Sequence, residues 1–590
     1  MMLSFLDEPL ATKLRGGWRL RNRQRQAAPI VMKSSKLAMK ELAKWCDGHS
    51  TTVQMVLTCQ SGYDDGIRRP ALCRLALRTD GSKFWHRKRP QNTLRQIMQM
   101  FEKQPSVSRF LTYLSEGSIK VFVKPSAMIA YVHQNFPKKF KRIFGAEEAK
   151  LVQFWREFLA SEDGKAMAEL NPFLKDKNPE ELSKSIPLVI HEDAGPYAKG
   201  KSMNIINFSS LLANGAEHDT KLCIATHVKD PEHADVKNIE VFWRELIKDF
   251  EELANGTSEI HFRNGDKWTA ILLFGKGDME MRVVTWGLPG WKDVDEICPS
   301  CLANRTTRPY TDNGPNAGWR RTIAQPNEFF LLRLAEPRHP LTLSKFFNKF
   351  FPILDVMHML DCKGVTAHAA GSVLKYLVVN CDELGSTQAE RLANLNQNMK
   401  SFQSTNKTPS RMPQIYLNNL TDGSGWADLT SQLVKAANTR NLVPWLVSLC
   451  PVYFNADTNF DKAVTTMLRS LNEIYEIMYK AGFFFTQDES RKFSALILKF
   501  GIRYQWLRSF FQSREQLYFA FMHKHHAMQH LPQVARLINP IKVQCYAEEG
   551  AVGRIARIWK ASKHGPYRKR IQAVVLTKIL IRTELRLKGI

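Results

Sequence analysis

Two apolar segments of strand length in this chain lead into carboxylate side chains. The first, IPLVIHEDAG, reaches Glu192 and Asp193, and the second, FPILDVMH, reaches Asp355. A carboxylate at the end of a buried strand is costly unless it is solvated, paired or bound to a metal ion. If both strands lie in one sheet, the two carboxylates repel each other, and a divalent cation resolves the repulsion. The pattern predicts an acidic site built on strands from Asp193 and Asp355, with Glu192 as the second choice for the first acid.

A third acid is expected at such a site, and a candidate precedes a basic amphipathic stretch. The segment CYAEEGAVGRIARIWK places Glu548 and Glu549 ahead of Arg554 and Arg557. Mg²⁺ and Mn²⁺ accept carboxylate oxygens, and two such ions about 3.5–4 Å apart promote phosphodiester chemistry. The alternative for Glu549 is an acid that complements a helix N-terminus. The alternative for Asp355 is a strand-end or helix-capping residue.

The charge balance of the chain points to a polyanionic partner. Lysine and arginine total 84 against 57 acidic residues, which gives a net charge of +27. The segments KLRGGWRLRNRQRQ and KFWHRKRP interleave aromatic with basic residues, a composition suited to base stacking and phosphate contact. The alternatives are a solvated tail, a localisation signal or a basic surface without a ligand. The residues predicted to contact nucleic acid are Arg19, Arg21, Arg23, Arg87, Lys88, Arg89, Arg554 and Arg557.

One cysteine pair has the spacing of a zinc knuckle. Cys298 and Cys301 lie in ICPSCLANR, and zinc would require two further ligands to complete a tetrahedral site. No second pair follows at the usual finger distance. The alternative is two turn cysteines in a reduced protein. Possible partners for a structural zinc are His339, Cys362 and Cys223.

Three histidines belong to the candidate site residues. His526 and His530 are four residues apart, so a helix would place them on one face. They lack the glutamate of an HExxH metalloprotease pattern. The sequence predicts that they pack or form hydrogen bonds near the acidic site. His358 follows Asp355 by three residues, and it is predicted to orient a carboxylate, contact phosphate or fill the core.

Several functional classes are disfavoured by the sequence. The N-terminal stretch has Asp7 and Glu8 inside its apolar run and makes a poor signal peptide. No window offers the roughly 18 apolar residues of a membrane helix. Ten cysteines with one close pair do not indicate a secreted disulfide scaffold. No GxSxG motif occurs. We therefore expect an intracellular protein with reduced thiols and no membrane partner.

Local patterns predict a segmented organisation. Three strand patterns from Ile186 onward precede a helix that ends at Gly256, and KWTAILLFGKGDMEMRVVTWG follows as one or two strands. The N-terminal region is expected to mix α and β elements. The predicted segments are a basic arm (1–45), an N-terminal module (46–180), the first part of a core (181–384) with a CxxC insertion (285–325), a helical insertion (385–520), the last part of the core (521–565) and a basic C-terminal helix (566–590).

Three blocks of the chain resemble Tnp2-type, CACTA-like DDE transposases. LDVMHMLDCKGV resembles the Asp-x-Met-His block of that family, and HAMQHLPQVARLINPIKVQCYAEEGAVGRI resembles its downstream block. HEDAGPYAKG is similar to the first acidic block. The arrangement also resembles transposon-like protein families multiplied in some protist genomes, which carry the same WGLPGW and CxxC insertion. The resemblance covers roughly residues 185–380 and 520–565.

The resemblance implies an α/β RNase H-like core with a CxxC-containing insertion and a large all-helical insertion. It also implies a DDE triad of Asp193, Asp355 and Glu549 that holds two Mg²⁺ or Mn²⁺ ions. Glu548 leaves the choice of glutamate ambiguous by one residue.

The leading functional hypothesis is a nuclear transposase-like DNA nuclease and strand transferase that acts on transposon ends or a related DNA sequence, with a homo-oligomer as a further expectation. The alternative is a catalytically inactive, domesticated or decayed transposase that binds DNA. A third hypothesis is an interaction protein whose helices at 385–520 form a partner platform. Steep salt dependence of DNA binding without cleavage favours the second hypothesis, and little DNA affinity favours the third.

Overall fold

A computed structural model describes residues 36–49, 110–229, 237–258, 262, 265–293, 295–323, 325–429, 435–562 and 571–588. The basic residues Arg19, Arg21, Arg23, Arg87, Lys88 and Arg89 lie outside these ranges, as do the strands and helix predicted between 51 and 104.

The described strands form two sheets. The strands are β1 (Leu111–Tyr113), β2 (Val121–Val123), β3 (Ser185–Ala198), β4 (Lys201–Ser210), β5 (Leu222–Lys229) and β6 (Thr269–Lys276). β1 and β2 pair antiparallel. The larger sheet has the order β5-β4-β3-β6, and β4 pairs antiparallel with both β3 and β5.

Helices make up most of the remaining described structure. In chain order they are α1 (Lys36–Cys46), α2 (Pro125–Asn135), α3 (Pro137–Phe144), α4 (Glu148–Ala160), α5 (Glu162–Leu170), α6 (Glu217–Thr220), α7 (Lys237–Asn255), α8 (Met279–Val284), α9 (Asn327–Leu332), α10 (Val365–Asn380), α11 (Gln388–Thr405), α12 (Ala436–Tyr453), α13 (Asn459–Lys480), α14 (Gln487–Gln512), α15 (His523–Met528), α16 (Leu531–Leu537), α17 (Tyr546–Ser562) and α18 (Ile571–Leu587). A π-helical turn spans Met357–Asp361.

The chain divides into two compact units, each built from separate segments. Unit 1 comprises residues 1–146, 185–271 and 547–590, and unit 2 comprises residues 147–184 and 272–546. β6 begins in unit 1, and the chain passes into unit 2 at Leu272. The predicted mixture of α and β structure and the large helical region are confirmed. The predicted segment boundaries stay predictions.

In unit 1, β3 is buried along most of its length. Every residue from Ser185 to Asp193 is buried, which explains why the sequence shows a continuous apolar run rather than alternation. The prediction that this strand ends at Asp193 is wrong, because antiparallel pairing with β4 continues to Ala198. Gly200, at a φ of +67°, closes the short hairpin between them, a backbone conformation that favours glycine.

α17 packs closely on β3 within unit 1. A Cβ placed on Gly195 would lie 3.1 Å from Val552 and 3.2 Å from Ala556. Glycine at this strand position therefore permits the close approach of the helix that carries Glu549.

The prediction of strand structure after β6 is only partly right. β6 ends at Lys276, and the following residues form α8 instead of a second strand. Asp278 is the N-cap of α8, and its side chain accepts a hydrogen bond from the backbone N–H of Met281 at 2.6 Å. This cap stabilises the first helical turn, although the apolar spacing of the segment resembles a strand.

Three of the described α-helices between 385 and 520, α11, α13 and α14, begin at a threonine whose side chain caps the helix. Thr387 and Glu390 form a capping box at the start of α11, and Thr486 and Glu489 form another at the start of α14. These reciprocal hydrogen bonds satisfy backbone donors that a helix start leaves unpaired. The helix predicted over DLTSQLVKAANTR begins at Ala436 among the described residues.

One buried asparagine holds the connection between α13 and α14 in unit 2. Asn539 is fully buried. Its side-chain amide donates to the carbonyl oxygens of Met478 and Gly482, each at 2.9 Å, and its side-chain oxygen accepts from the N–H of Ile541 at 3.2 Å. Asn539 thus supplies hydrogen-bond donors to carbonyl groups that have no intrahelical donor at the end of α13.

We predict that Asn539→Ala lowers the free energy of unfolding by about 2 kcal/mol, because it leaves buried backbone carbonyls without a donor. Thermal and denaturant unfolding measure the change. Asn406→Ala is the matched control, since this exposed asparagine also donates to a helix-end carbonyl, that of Phe402. Equal stability of the two variants would contradict the role given to Asn539.

Candidate metal centre and acidic site

Two cysteines and two histidines of unit 2 converge in its interior. One ligand atom from each of Cys298, Cys301, His526 and His530 lies within 4.8 Å of the others, and all four residues are buried. The Cys298 Sγ lies 3.4 Å from the His530 Nε2, and the Cys301 Sγ lies 3.3 Å from the His526 Nε2. The two histidine Nε2 atoms are 3.2 Å apart.

These separations fit a four-coordinate metal ion. Tetrahedral zinc with ordinary zinc–sulfur and zinc–nitrogen bonds places neighbouring ligand atoms roughly 3.3–3.6 Å apart. The observed S–N distances of 3.3 and 3.4 Å agree with that spacing. The four side chains can therefore hold a metal ion without a large rearrangement.

The loop that carries the cysteines is fixed by an arginine. The Arg333 guanidinium donates to the carbonyl oxygens of Cys298 at 2.8 Å and of Cys301 and Pro299 at 3.2 Å. It also pairs with Glu296 at 2.8 Å. Because the planar guanidinium group of Arg333 binds three carbonyl oxygens of the loop, it fixes the loop backbone and therefore the direction in which the two thiols point.

The histidines reach the cysteines from two short helices. His526 belongs to α15, whereas His530 is the N-cap residue that precedes Leu531 of α16. The prediction of one shared helix face is therefore wrong, because the chain leaves α15 between them. The Trp319 ring packs edge-on against His526, and Gln533 lies 3.1 Å from the Nδ1 of His530. These contacts orient both rings toward the thiols.

The sequence identified the cysteines and the histidines separately but did not join them. The pairs are separated by 225 residues between Cys301 and His526, far outside the spacing of a zinc finger. The proposed partner His339 instead uses its Nδ1 to accept from the N–H of Leu341, and Cys223 belongs to unit 1. The sequence signal that could have predicted this cluster was the presence of two pairs of possible metal ligands, CxxC and HxxxH.

Proton sharing links the two thiols. Burial raises the pKa of Cys298, but the hydrogen bond from Cys301 and the nearby histidines reverse this and hold it well below its usual value. Burial raises the pKa of Cys301 far above its usual value. Burial also lowers the pKa of His526. The cluster therefore favours one thiolate and a neutral imidazole, the forms that bind metal ions.

Two of the predicted acids meet in unit 1. A carboxylate oxygen of Asp193, on β3, lies within 4.8 Å of one from Glu549, on α17. Asp193 is buried and Glu549 is partly exposed. Glu548 is 1% exposed and pairs with the Lys221 Nζ at 2.7 Å. That buried ion pair makes Glu548 a structural residue and leaves Glu549 as the acid beside Asp193.

The third predicted acid belongs to unit 2. The segment that precedes Asp355 pairs in parallel with β6 through a bridge between Gly275 and Pro352. Asp355 is buried, and its oxygens accept from the N–H groups of Met357 at 3.1 Å and Cys545 at 2.8 Å. Asp355 thus follows a short extended segment and also caps the π-helical turn.

His358 lies directly beside Asp355. Its Nδ1 is 2.6 Å from an Asp355 oxygen. Burial raises the pKa of Asp355, but hydrogen bonds from His358 and the charge of Lys276 bring it below its usual value. One ligand atom each of Asp355, His358 and Cys545 lies within 4.8 Å of the others. Asp355 is therefore ionised at neutral pH.

A second buried aspartate ends the same π-helical turn. Asp361 accepts hydrogen bonds from the hydroxyl groups of Tyr475 and, at 2.7 Å, Tyr546. Burial raises its pKa to about 7, and the negative charge of nearby Asp355 acts in the same direction. The two hydrogen bonds and the positive charge of Arg440 lower the pKa, but they offset the increase only in part. The sequence reasoning missed this residue, since nothing local distinguishes it from an exposed acid.

The basic residues of α17 are not equivalent. Arg554 is partly buried and lies 3.9 Å from Glu217. Arg557 is exposed, although its guanidinium contacts the His49 ring, and Lys560 is exposed. Of the two predicted nucleic-acid contacts on this helix, Arg557 is therefore the more accessible.

A scan against models of protein families gives no match, and a comparison with curated proteins gives none either. Within the described residues, no helix combines the length and the apolar character that crossing a bilayer requires.

We predict that Asp361 makes the folded state less stable as pH rises. Its pKa is raised from 3.8 to about 7 in the folded chain, so its contribution is fully present below pH 3.8 and is lost as pH rises through about 7. Thermal unfolding between pH 4.5 and 7.5 should show a weaker pH dependence for Asp361→Asn than for the unmodified protein. Asp295→Asn, at an exposed aspartate of unit 2, is the control for the change of side chain.

Proposed function

We propose that this protein is a transposase-like DNA nuclease and strand transferase that uses Asp193, Asp355 and Glu549 as a DDE triad. The resemblance of three sequence blocks to Tnp2-type, CACTA-like transposases motivates the proposal. The single observation that carries it furthest is the proximity of Asp193 and Glu549, which are far apart in the sequence and lie within 4.8 Å in unit 1.

The donor set suits hard divalent cations. Two carboxylates at this separation repel each other, and oxygen ligands of this type favour Mg²⁺ or Mn²⁺. Asp355 adds an ionised carboxylate that His358 and backbone N–H groups hold in one orientation. When bound, the ions supply an activated water or hydroxyl nucleophile and stabilise the leaving oxygen of a phosphodiester.

The order of the elements supports an RNase H-like core. Three antiparallel strands, β3 to β5, precede α7 and then β6, which lies next to β3 in the sheet. The sequence predicted this succession of strands, helix and strand. On α17, Arg557 and Lys560 are exposed on the helix that also carries Glu549. These side chains would contact phosphates of a DNA strand.

We predict that Asp193→Asn and Glu549→Gln each reduce Mg²⁺-dependent nicking of DNA by about a hundredfold or more, because each removes a charged metal ligand. The measurement is conversion of supercoiled plasmid to nicked circles, with circular dichroism to confirm folding. Glu240→Gln, at an exposed acid of unit 1, is the control and should leave the rate unchanged.

The outcomes separate the functional hypotheses. Nicking by Glu549→Gln at the original rate would contradict the triad. Binding of DNA that weakens steeply with salt, without any nicking by the unmodified chain, would identify the protein as an inactive, DNA-binding relative of transposases. Absence of DNA binding at low salt would favour an interaction protein.

We further propose that Cys298, Cys301, His526 and His530 hold a structural zinc ion. Thiolate and imidazole donors select zinc over magnesium. A set of four protein ligands leaves no open position for a substrate, which is typical of structural sites. The ion would join the turn-rich segment around the cysteines to α15 and α16.

We predict that the purified protein contains about one zinc ion per chain. Cys301→Ser should lose the zinc and lower the melting temperature, whereas Cys450→Ser, at a buried cysteine of α12, should retain it. Arg333→Ala should weaken zinc binding by about 10- to 100-fold, because the cysteine loop loses its support. Zinc content is measured by mass spectrometry and affinity by competition with a chelator. Full zinc content in Cys301→Ser would contradict the site.

A further inference from the structure

A cavity of about 520 Å³ lies within unit 2 beside the metal centre. Pro299 and Ser300, between the two cysteines, form part of its wall, and His530 forms another part. Lys349, Phe350 and the segment 352–354 contribute further sides, together with the start of α5 and with α16. A volume of this size is typical of small-molecule sites and far exceeds the space that a single water or inorganic ion fills.

The lining of this cavity is strongly basic. Five basic side chains contribute to it, against two acidic ones. Asp163 and Arg536 pair with each other at 3.0 Å, which leaves four basic side chains against Glu162. Arg321 is exposed. The basic residues of the lining are Arg282, Arg320, Arg321, Lys349 and Arg536. The excess of positive charge favours an anionic ligand.

The guanidinium group of Arg282 is buried, and the described residues do not supply a hydrogen-bond acceptor for each of its donors. Arg282 is 5% exposed, and its guanidinium donates to the carbonyl oxygen of Pro352 at 3.1 Å. Its Nε has no hydrogen-bond acceptor among the described residues. Cys298 and Asp355 attract it through space, but Cys298 belongs to the cysteine–histidine cluster, and the Asp355 oxygens are already bound by His358 and by backbone N–H groups. A buried cation in this condition is costly, and an anion in the cavity would lower that cost.

The remaining wall is apolar and partly aromatic. Phe330, Phe350, Ile353 and Leu354 line it together with the basic side chains. Lys349 lies over the Phe350 ring at 5.2 Å. A ligand that fits must therefore combine an anionic group with a larger, flat and weakly polar body. Nucleotides have this combination, since the phosphate matches the arginines and the base matches aromatic side chains.

We propose that this cavity binds a nucleotide, with its phosphate at the arginines and its base against the apolar wall. The nucleotide is either free or part of an unpaired DNA strand. The cysteine loop forms part of the wall, so the metal centre also fixes the shape of this site. The inference goes beyond the proposed cleavage chemistry, because every lining residue belongs to unit 2 and none is a member of the proposed triad.

The test measures binding to the full-length chain without added Mg²⁺ or Mn²⁺ and without a chelator. The probes are dTMP, thymidine, inorganic phosphate and a single-stranded oligonucleotide of eight thymidylates. The variants are Arg282→Gln, Arg282→Lys and the exposed Arg321→Ala. Arg503→Ala is the matched control, because Arg503 is an exposed arginine of unit 2 outside the cavity.

We expect dTMP to bind at least about tenfold more tightly than thymidine or phosphate, because both parts of the ligand are recognised. Arg321→Ala and Arg282→Gln should each weaken binding by about tenfold, Arg282→Lys by less, and Arg503→Ala not at all. Pocket-dependent binding of the oligonucleotide but not of dTMP would assign the nucleotide to a DNA strand and supports the proposal. Pocket-dependent dTMP binding assigns a free nucleotide and also supports it.

Equal binding of dTMP and inorganic phosphate, with no pocket-dependent binding of the oligonucleotide, would overturn the nucleotide assignment. Equal effects of Arg321→Ala and Arg503→Ala would overturn the site. Glu549→Gln should leave dTMP binding unchanged, so failure of the cleavage proposal and failure of this one are distinguishable. Because Arg321 is exposed, its variant tests the site even if Arg282 variants do not fold.

Discussion

The interior of unit 2 depends on a buried set of two thiols and two imidazoles. The imidazoles are polar, and their burial is favourable only when they bind the thiols or a metal ion. The segment around Cys298 and Cys301 contains turns and little regular structure, so it has few backbone hydrogen bonds of its own to hold it. The cluster joins that segment to α15 and α16, which lie more than 200 residues later in the chain.

The same loop contributes to two sites of different chemistry. Its sulfur atoms face the histidines, its carbonyl groups accept from Arg333, and Pro299 and Ser300 form a wall of the basic cavity. A change in the loop would therefore alter both the cysteine–histidine cluster and the cavity.

The acidic residues show how burial assigns roles to similar side chains. Glu548 and Glu549 are adjacent, yet one forms a buried pair with Lys221 and the other lies beside Asp193. Asp355 and Asp361 flank one π-helical turn, yet basic neighbours lower the pKa of the first and burial raises that of the second. In each pair the surrounding groups, rather than the residue type, decide the charge and the partner.

The sequence by itself determined the local elements: the strands from β3 to β6, the end of α7 just before Gly256 and the capped helices α11 and α14. These follow from apolar periodicity and from hydrogen bonds between residues a few positions apart. It also selected Asp193 and Glu549, by strand pattern and resemblance. Only the tertiary structure joined Cys301 to His526, separated Glu548 from Glu549 and left Arg282 buried beside a cavity. Such groupings depend on which distant segments pack together, and no short-range pattern records that choice.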